Sequence, residues 1–178
     1  MSSSGDWALR PSETLPALHI DREVSLTRPA TIKAYDYWRA RRGDRIMPAR
    51  KDIRPGDMRQ FLAHVALIEI RKTDTDYQFV VRLAGTQVEE FFGPVTGKAF
   101  SEFLSPPLLD RWNVVYAEAL RTRGPLKVSG QVFYKGRLWL EMETFIGPLS
   151  GDDGEISQFF LGFVTWPIPA GDPSQTPA

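Results

Sequence analysis

Residues 77–94 constrain the fold more strongly than any other part of this sequence. The first part, Tyr77 to Ala84, is rich in β-branched and aromatic residues and predicts a strand. After a glycine corner, Thr86 and Glu89 have the three-residue spacing of a capping box at the start of a helix. Gly93-Pro94 ends that helix at once, because proline cannot continue it. The run therefore predicts a strand, a tight corner and a short helix, and it contains no group typical of catalysis.

The composition is that of one globular domain. The chain has 178 residues, 42% of them hydrophobic, and is long enough to bury a sizeable core. Lys plus Arg and Asp plus Glu are both 22, so the net charge is 0 and no general attraction to polyanions is expected. The absence of cysteine excludes disulfides, thiolate nucleophiles and thiolate metal sites. The sequence shows no signal-peptide pattern. It also has no apolar run near the ~20 residues that a membrane span needs. We therefore expect a cytoplasmic protein without a membrane span.

The residue pattern divides the chain into several segments. Within the first third, an amphipathic helix is predicted at residues 29–42, because Pro29 suits its first turn and Gly43 its end. A second short helix is expected from Pro55 to Leu62. The boundaries that we predict are a flexible lead-in at residues 1–28, an N-terminal helical extension at 29–62, a core at 63–166 and a disordered Pro-rich tail at 167–178.

The core has the pattern of an α+β domain. Ser105 is predicted as the N-cap of its longest helix, and two prolines follow in the first turn. The last strand is apolar on both of its alternating sides, which is typical of a central strand. We therefore predict a five-stranded antiparallel sheet covered on one face by short helices and one long helix. The predicted strands are residues 65–70, 77–84, 126–134, 137–146 and 156–166.

A series of short motifs, in this order and on these elements, resembles the PAS domain. The motifs are Tyr37-Trp38, Gly43-x-Arg45, Met47-Pro48-x-Arg50-x-Asp52-Ile53-x-Pro55, residues 82–86 and Phe92-Gly93, with Thr96-Gly97-Lys98 and Pro148-Leu149 matching less specifically. The resemblance covers roughly residues 30–166 and is greatest to the stand-alone bacterial type common in alphaproteobacteria. It implies the strand order 2-1-5-4-3, which puts the fifth strand in the middle. It also implies a sensory or docking role.

The resemblance further implies a small-molecule pocket between the short helices, the long helix and the sheet. Aromatic residues at these positions also suit a plain hydrophobic core. Gln131 faces the pocket only if the Lys135-Gly136 hairpin has a two-residue turn, whereas a three-residue turn places Val132 there and leaves a dry core. The candidate lining residues are Phe92, Phe103, Trp112, Tyr116, Gln131 and Met142.

The residue types present limit the cofactors that such a pocket can hold. Haem in PAS domains usually takes a histidine from the long helix, but the only histidines are His19 and His64, both outside it. A photoreactive flavin adduct needs a cysteine, and the chain has none. Two distant histidines also form no metal-ligand cluster. We therefore predict no metal and neither haem nor a cysteinyl flavin, which leaves a small apolar or amphipathic metabolite, or no ligand.

Two surfaces are candidates for contacts with other molecules. A protein partner or a second copy of the chain is expected on the first helix and the outer sheet face, through Ile32, Tyr35, Trp38 and Trp139. The Arg-rich segment 39–59 offers phosphate contacts to nucleic acid as an alternative. It lacks the aromatic residues that base stacking requires, which argues against nucleic acid and favours local pairing with Asp44, Asp52 and Asp57.

The function expected from these features is that of a non-catalytic, single-domain PAS sensory or adaptor protein. One alternative is an isomerase-like enzyme of a cone-shaped α+β fold, in which Tyr116 and a glutamate would transfer a proton. In that fold class the long helices precede the sheet, so the order of elements in this sequence argues against the isomerase alternative. Another alternative is a nucleotide or nucleic-acid binder through residues 39–59. Glu141 and Glu143 share one strand face, but hydrolase motifs and phosphate loops are absent.

Overall fold

The computed structural model describes residues 15–134 and 138–169. The strands of its sheet are β1 (His19–Asp21), β2 (Val65–Lys72), β3 (Tyr77–Ala84), β4 (Leu126–Tyr134), β5 (Leu138–Ser150) and β6 (Ile156–Pro167). The α-helices are α1 (Pro29–Arg42), α2 (Thr86–Phe92) and α3 (Pro106–Thr122). Short 3-10 turns lie at Arg50–Asp52, Pro55–Met58, Leu62–His64 and Phe100–Glu102.

The strands form one antiparallel sheet in the order β1-β4-β5-β6-β2-β3. The five strands from β2 onward have the predicted order 2-1-5-4-3, and β6, the last strand, lies between β5 and β2. The additional strand β1 pairs with the edge of β4, so the lead-in is not flexible throughout. Three residues are too few to show an alternating hydrophobic pattern, so the sequence did not predict β1. Residues 1–14 lie outside the described part of the chain.

Helices cover both faces of the sheet: the short helices and the long helix cover one face, as predicted, and the N-terminal helical extension covers the other. On one face, α2, α3 and the 3-10 turn at Phe100–Glu102 pack on the sheet. On the other face, α1 and the segments that follow it form a second core around Trp38 and Phe145. β6 supplies both cores, with Phe159 on the first side and Phe160 on the second. Because this strand has two apolar faces, the helical extension is needed to bury the second one.

Two glycines of the sheet allow α1 to approach very closely. A Cβ atom added to Gly147 would lie 2.5 Å from the indole Nε1 of Trp38. One added to Gly162 would lie 2.7 Å from the Cβ of Ala34. Trp38 is completely buried against this surface, and its Nε1 donates a hydrogen bond of 3.0 Å to the carbonyl of Pro148. Because these two glycines have no side chains, the sheet surface leaves a groove in which α1 packs.

A buried carboxylate fixes the start of α1 to the sheet. Glu143 of β5 is 2% exposed and accepts hydrogen bonds from the backbone N–H groups of Thr27 and Arg28 and from the hydroxyls of Thr27 and Thr31. Burial by itself would raise the pKa of Glu143, but these hydrogen bonds outweigh it and hold the pKa below the usual range. The carboxylate also lies near the positive end of the helix dipole.

The start of α2 differs from the prediction. Gly85 is the N-cap residue and Thr86 is the first residue of the helix, so the capping box of Thr86 and Glu89 does not form. Glu89 instead accepts a hydrogen bond of 3.0 Å from the hydroxyl of Thr96. Gly85 is required because an added Cβ would lie 2.1 Å from the carbonyl oxygen of Leu62. The backbone corner against the preceding turn, and not a side-chain cap, therefore positions this helix.

The other predicted ends are mostly as expected. α1 has the predicted bounds, and Gly93 ends α2 with a φ of 82°. Ser105 is the N-cap of α3, but its hydroxyl makes no capping hydrogen bond. At the other end of the core, β6 includes Pro167, which had been assigned to the tail. Residues 170–178 of that tail lie outside the described part of the chain.

We predict that Gly147→Ala destabilises the fold by about 1–3 kcal/mol, because its methyl group would press on the Trp38 indole. Urea denaturation followed by tryptophan fluorescence measures the loss. Gly56→Ala is the matched control, since a Cβ at that position meets no atom within 4 Å. Equal stability of the two variants would show that the contact between α1 and the sheet is loose.

We also predict that Glu143→Gln lowers the free energy of unfolding at neutral pH by about 1.5–3 kcal/mol, the usual contribution of hydrogen bonds to a charged group. Because the pKa of Glu143 is lowered in the fold, its stabilisation is present at neutral pH and is lost as the pH falls through that value. The difference between wild type and variant should therefore shrink on acidification. Denaturation between neutral and acidic pH tests this, with the exposed Glu90→Gln as control; a difference that stays constant with pH contradicts it.

Candidate functional site

A small apolar cavity lies between the sheet and the layer formed by α2, α3 and the turn at Phe100–Glu102. Its volume is about 40 Å³. The strands contribute mostly aliphatic side chains, with Phe163 the aromatic one, and the helical layer contributes mostly aromatic side chains. The cavity is lined by Ala66, Ile68, Val81, Val88, Phe92, Val95, Phe100, Phe103, Leu104, Trp112, Tyr116, Leu161 and Phe163.

Interlocking aromatic rings form the helical wall of this cavity. The rings of Phe92, at the end of α2, and Phe103 have centroids 6.0 Å apart in an edge-on arrangement. Phe103 contacts Phe100 in the same way at 5.7 Å, and Phe100 contacts Tyr116 at 5.4 Å. Trp112, one turn earlier on α3, lies 6.3 Å from Tyr116. The wall is thus held by edge-on ring contacts that come from three separate elements.

Tyr116 carries a polar atom into this apolar environment. The residue is 1% exposed, and burial raises the pKa of its hydroxyl well above the ordinary value, so the group stays neutral. No hydrogen bond links this hydroxyl to any residue in the described part of the chain. It is therefore available as a donor or acceptor to a molecule in the cavity.

The cavity fits neither haem nor a flavin as it stands. Sites for drug-sized ligands usually enclose ~300–1,000 Å³, and this cavity has a volume of about 40 Å³. The sequence of α3 contains no histidine to coordinate a haem iron, and the chain contains no cysteine to form a flavin adduct. A space of this size suits a few atoms, so a larger ligand must push the aromatic wall outward.

The structure brings together four of the six predicted lining residues: Phe92, Phe103, Trp112 and Tyr116. Met142 is fully buried in the same core but does not line the cavity. The side chain of Gln131 is also absent from the lining. The outcome for Gln131 depends on the register of the hairpin that joins β4 to β5.

That register is the one of the three-residue turn. Tyr134 pairs with Leu138, and Val132 pairs with Leu140. Gln131 therefore pairs with Glu141 and lies on the sheet face opposite Met142, so its assignment to the pocket is corrected. Val132 is buried in its place, which makes this part of the core dry. The three turn residues, 135–137, lie outside the described part of the chain.

A second pocket adjoins the apolar cavity and contains an arginine that the sequence analysis missed. Its volume is about 30 Å³, and it is lined by Phe91, Phe92, Phe103, Leu104, Leu108, Arg111, Trp112, Val132 and Phe133. Arg111 donates a hydrogen bond from Nη2 to the carbonyl of Gln131. Its Nε and Nη1 atoms are buried and have no partner among the described residues, and burial lowers the pKa of Arg111 to about 10. The sequence signal that could have identified Arg111 is its spacing, three residues from Leu108 and four from Val115. This spacing places it beside the apolar stripe of α3.

The candidate interface residues do not form one surface. Trp38 is buried in the core under α1, so its assignment to an interface is corrected. Tyr35 is half-buried against Phe145, at 5.1 Å between ring centroids. Ile32 is 38% exposed on the outer side of α1. The side chain of Trp139 lies outside the described part of the structure.

The arginines of segment 39–59 are partly engaged in local pairs. Arg41 contacts Asp57 at 2.7 Å, and Arg45 contacts Asp52 at 2.8 Å. The hydrogen bond from Arg45 is the largest cause that lowers the pKa of the Asp52 carboxyl. This arrangement agrees with the predicted local pairing for Asp52 and Asp57.

The proton-transfer pair of the isomerase alternative does not assemble. Tyr116 packs in the core under α3, whereas Glu143 is on the opposite face of the sheet and binds the start of α1. His64 directs Nδ1 toward the carbonyl of Phe163 at 3.2 Å. Within residues 15–134 and 138–169, no three His, Cys, Asp or Glu side chains lie close enough to hold a metal ion. In the same part of the chain, no helix is long and apolar enough to cross a membrane.

Comparison with known proteins identifies the family. None of the curated proteins compared with the chain matches it. Among solved structures, an RNA-binding light-oxygen-voltage receptor is 12% identical with a TM-score of 0.45; the match covers 83% of this chain and 38% of the receptor chain. This chain therefore spans well under half of that receptor, and no property of the receptor is transferred here. A family model described as PAS domain matches residues 26–165, which is most of the chain. With the strand order already described, this match shows that the chain belongs to the PAS domain family.

Proposed function

We propose that this chain is a cytoplasmic, non-catalytic sensory or adaptor module that responds to a small apolar molecule and acts through protein contacts. The observation that carries the proposal is the apolar cavity, which is enclosed by aromatic rings and contains one unpaired hydroxyl. Among the described residues, no set of polar groups converges on one point of the cavity, which supports binding over chemistry.

The position of the cavity suggests how binding would be transmitted. A ligand larger than the present volume of about 40 Å³ must displace Phe92 and Phe103. Phe92 is the last residue of the short helix α2, and Phe103 follows a single 3-10 turn, so both belong to short elements. Such elements move more readily than the central strands. A ligand that binds the expanded form would therefore shift the population toward a different surface of α2.

We predict that Ala66→Val, which fills part of the cavity, reduces the retention of any bound small molecule without unfolding the protein. Native mass spectrometry of the freshly purified full chain measures the bound mass. Ala117→Val is the matched control, because Ala117 is exposed on the outer side of α3. Equal retention in both variants would contradict the cavity as the binding site.

We further propose a homodimer that uses the exposed side of α1. Ile32→Glu is expected to weaken self-association at least about tenfold, because it places a charge in an apolar contact. Sedimentation velocity over a range of concentrations measures this effect, and the neighbouring exposed Lys33→Glu serves as the control. A protein that stays monomeric at every concentration and captures no protein partner would contradict signalling by contact.

A further inference from the structure

Arg111 has an unusual position for a charged side chain. It projects from α3 into the second pocket, where its neighbours are the aromatic and aliphatic residues Phe103, Leu108 and Trp112. Several exposed arginines of this chain pair with carboxylates, as Arg121 does with Glu118 at 2.7 Å. Arg111 has no such partner among the described residues, and its one hydrogen bond goes to a backbone carbonyl.

The unpaired N–H groups of Arg111 indicate that an acceptor is missing. Nε and Nη1 are both buried without a hydrogen bond in the described part of the chain. Leaving a buried charged donor unpaired is costly, and native proteins rarely do so without a ligand, water or ion at the site. The guanidinium stays protonated at neutral pH even after burial. The acceptor that best matches a single, partly buried cation is a single anionic group.

The surroundings of Arg111 define the rest of the ligand. The second pocket shares Phe92, Phe103, Leu104 and Trp112 with the apolar cavity, so these side chains lie between the two spaces. A molecule that reaches from one to the other needs one charged end and an apolar body. A carboxylate suits the charged end better than a phosphate dianion, because one arginine cannot offset the desolvation of two charges.

We propose that this protein binds a small amphipathic monocarboxylate, with the carboxylate on Arg111 and the apolar body among Phe92, Phe103 and Trp112. This inference rests on the proposed function, since it names the chemical class of the ligand that the cavity takes. The pocket of about 30 Å³ and the cavity of about 40 Å³ are both too small for such a molecule at present. Binding must therefore part the shared aromatic side chains, which would join the two spaces.

Titration calorimetry on the full-length protein tests the proposal with matched probes. Octanoate and phenylacetate supply the carboxylate on two apolar bodies, and 1-octanol and 2-phenylethanol supply the same bodies without charge. At least one carboxylate should bind the wild-type protein at least about tenfold more tightly than its alcohol, the factor expected for a hydrogen bond to a buried charged group. Arg111→Met should abolish this preference, so that each carboxylate binds no more tightly than its alcohol. Arg121→Met, on the exposed side of the same helix, should retain the preference.

A thermal melt of the ligand-free variants shows whether Arg111 has only a structural role. Arg111→Met should unfold within about 2 °C of the wild type or above it, because it removes an unpaired buried charge. A large fall in the melting temperature would instead make Arg111 a structural residue and overturn the proposal. A carboxylate preference that persists in Arg111→Met would also overturn it.

The binding results separate this proposal from the proposed function. Alcohols that bind the wild type as tightly as the carboxylates would overturn the role of Arg111 in selecting charge, while the cavity would remain a site for apolar ligands. If none of the four probes binds, both the carboxylate proposal and the ligand-sensing part of the proposed function fail. Signalling through protein contacts would then be tested by the Ile32 variants alone.

Discussion

The two apolar faces of β6 are the constraint on which the rest of this structure depends. Phe159 and Phe160, adjacent in sequence, point into different cores, so the sheet needs cover on both sides. α3 and its neighbours supply one cover and α1 supplies the other. The helical extension is therefore an integral part of the fold, and the close approach at Gly147 and Gly162 is what lets it pack.

Packing α1 on the sheet buries polar groups, and Glu143 supplies hydrogen-bond acceptors for them. At the entry to α1, the N–H groups of Thr27 and Arg28 face β5 in a partly buried position. A carboxylate on β5 accepts both of these hydrogen bonds as well as two hydroxyl hydrogen bonds. A glutamate on a buried strand is costly to bury alone, but here its carboxylate accepts several hydrogen bonds. The same residue is thereby unavailable for the proton transfer that an isomerase would need.

Unpaired polar atoms lie beside the small cavities on the α3 side of the sheet. There the hydroxyl of Tyr116 and two nitrogen atoms of Arg111 have no partner among the described residues. On the α1 side, the indole of Trp38 and the carboxylate of Glu143 have partners, whereas the Nε atoms of Arg28 and Arg42 are buried without a hydrogen bond. The unpaired atoms of the α3 side adjoin cavities, which supports ligand binding on that face.

Periodicity in the sequence was sufficient to predict the bounds of α1, the strand from Tyr77 to Ala84 and the central position of β6, because these depend on local apolar patterns. The resemblance to PAS domains, and not periodicity, predicted one site for Phe92, Phe103, Trp112 and Tyr116, which line the same cavity. The face on which Gln131 lies, the burial of Trp38 and the isolation of Arg111 depend on contacts between residues far apart in the chain. A one-residue difference in a turn reverses every side chain of a strand, and the charge of an arginine does not reveal whether a partner will face it. Only the tertiary structure decided these points.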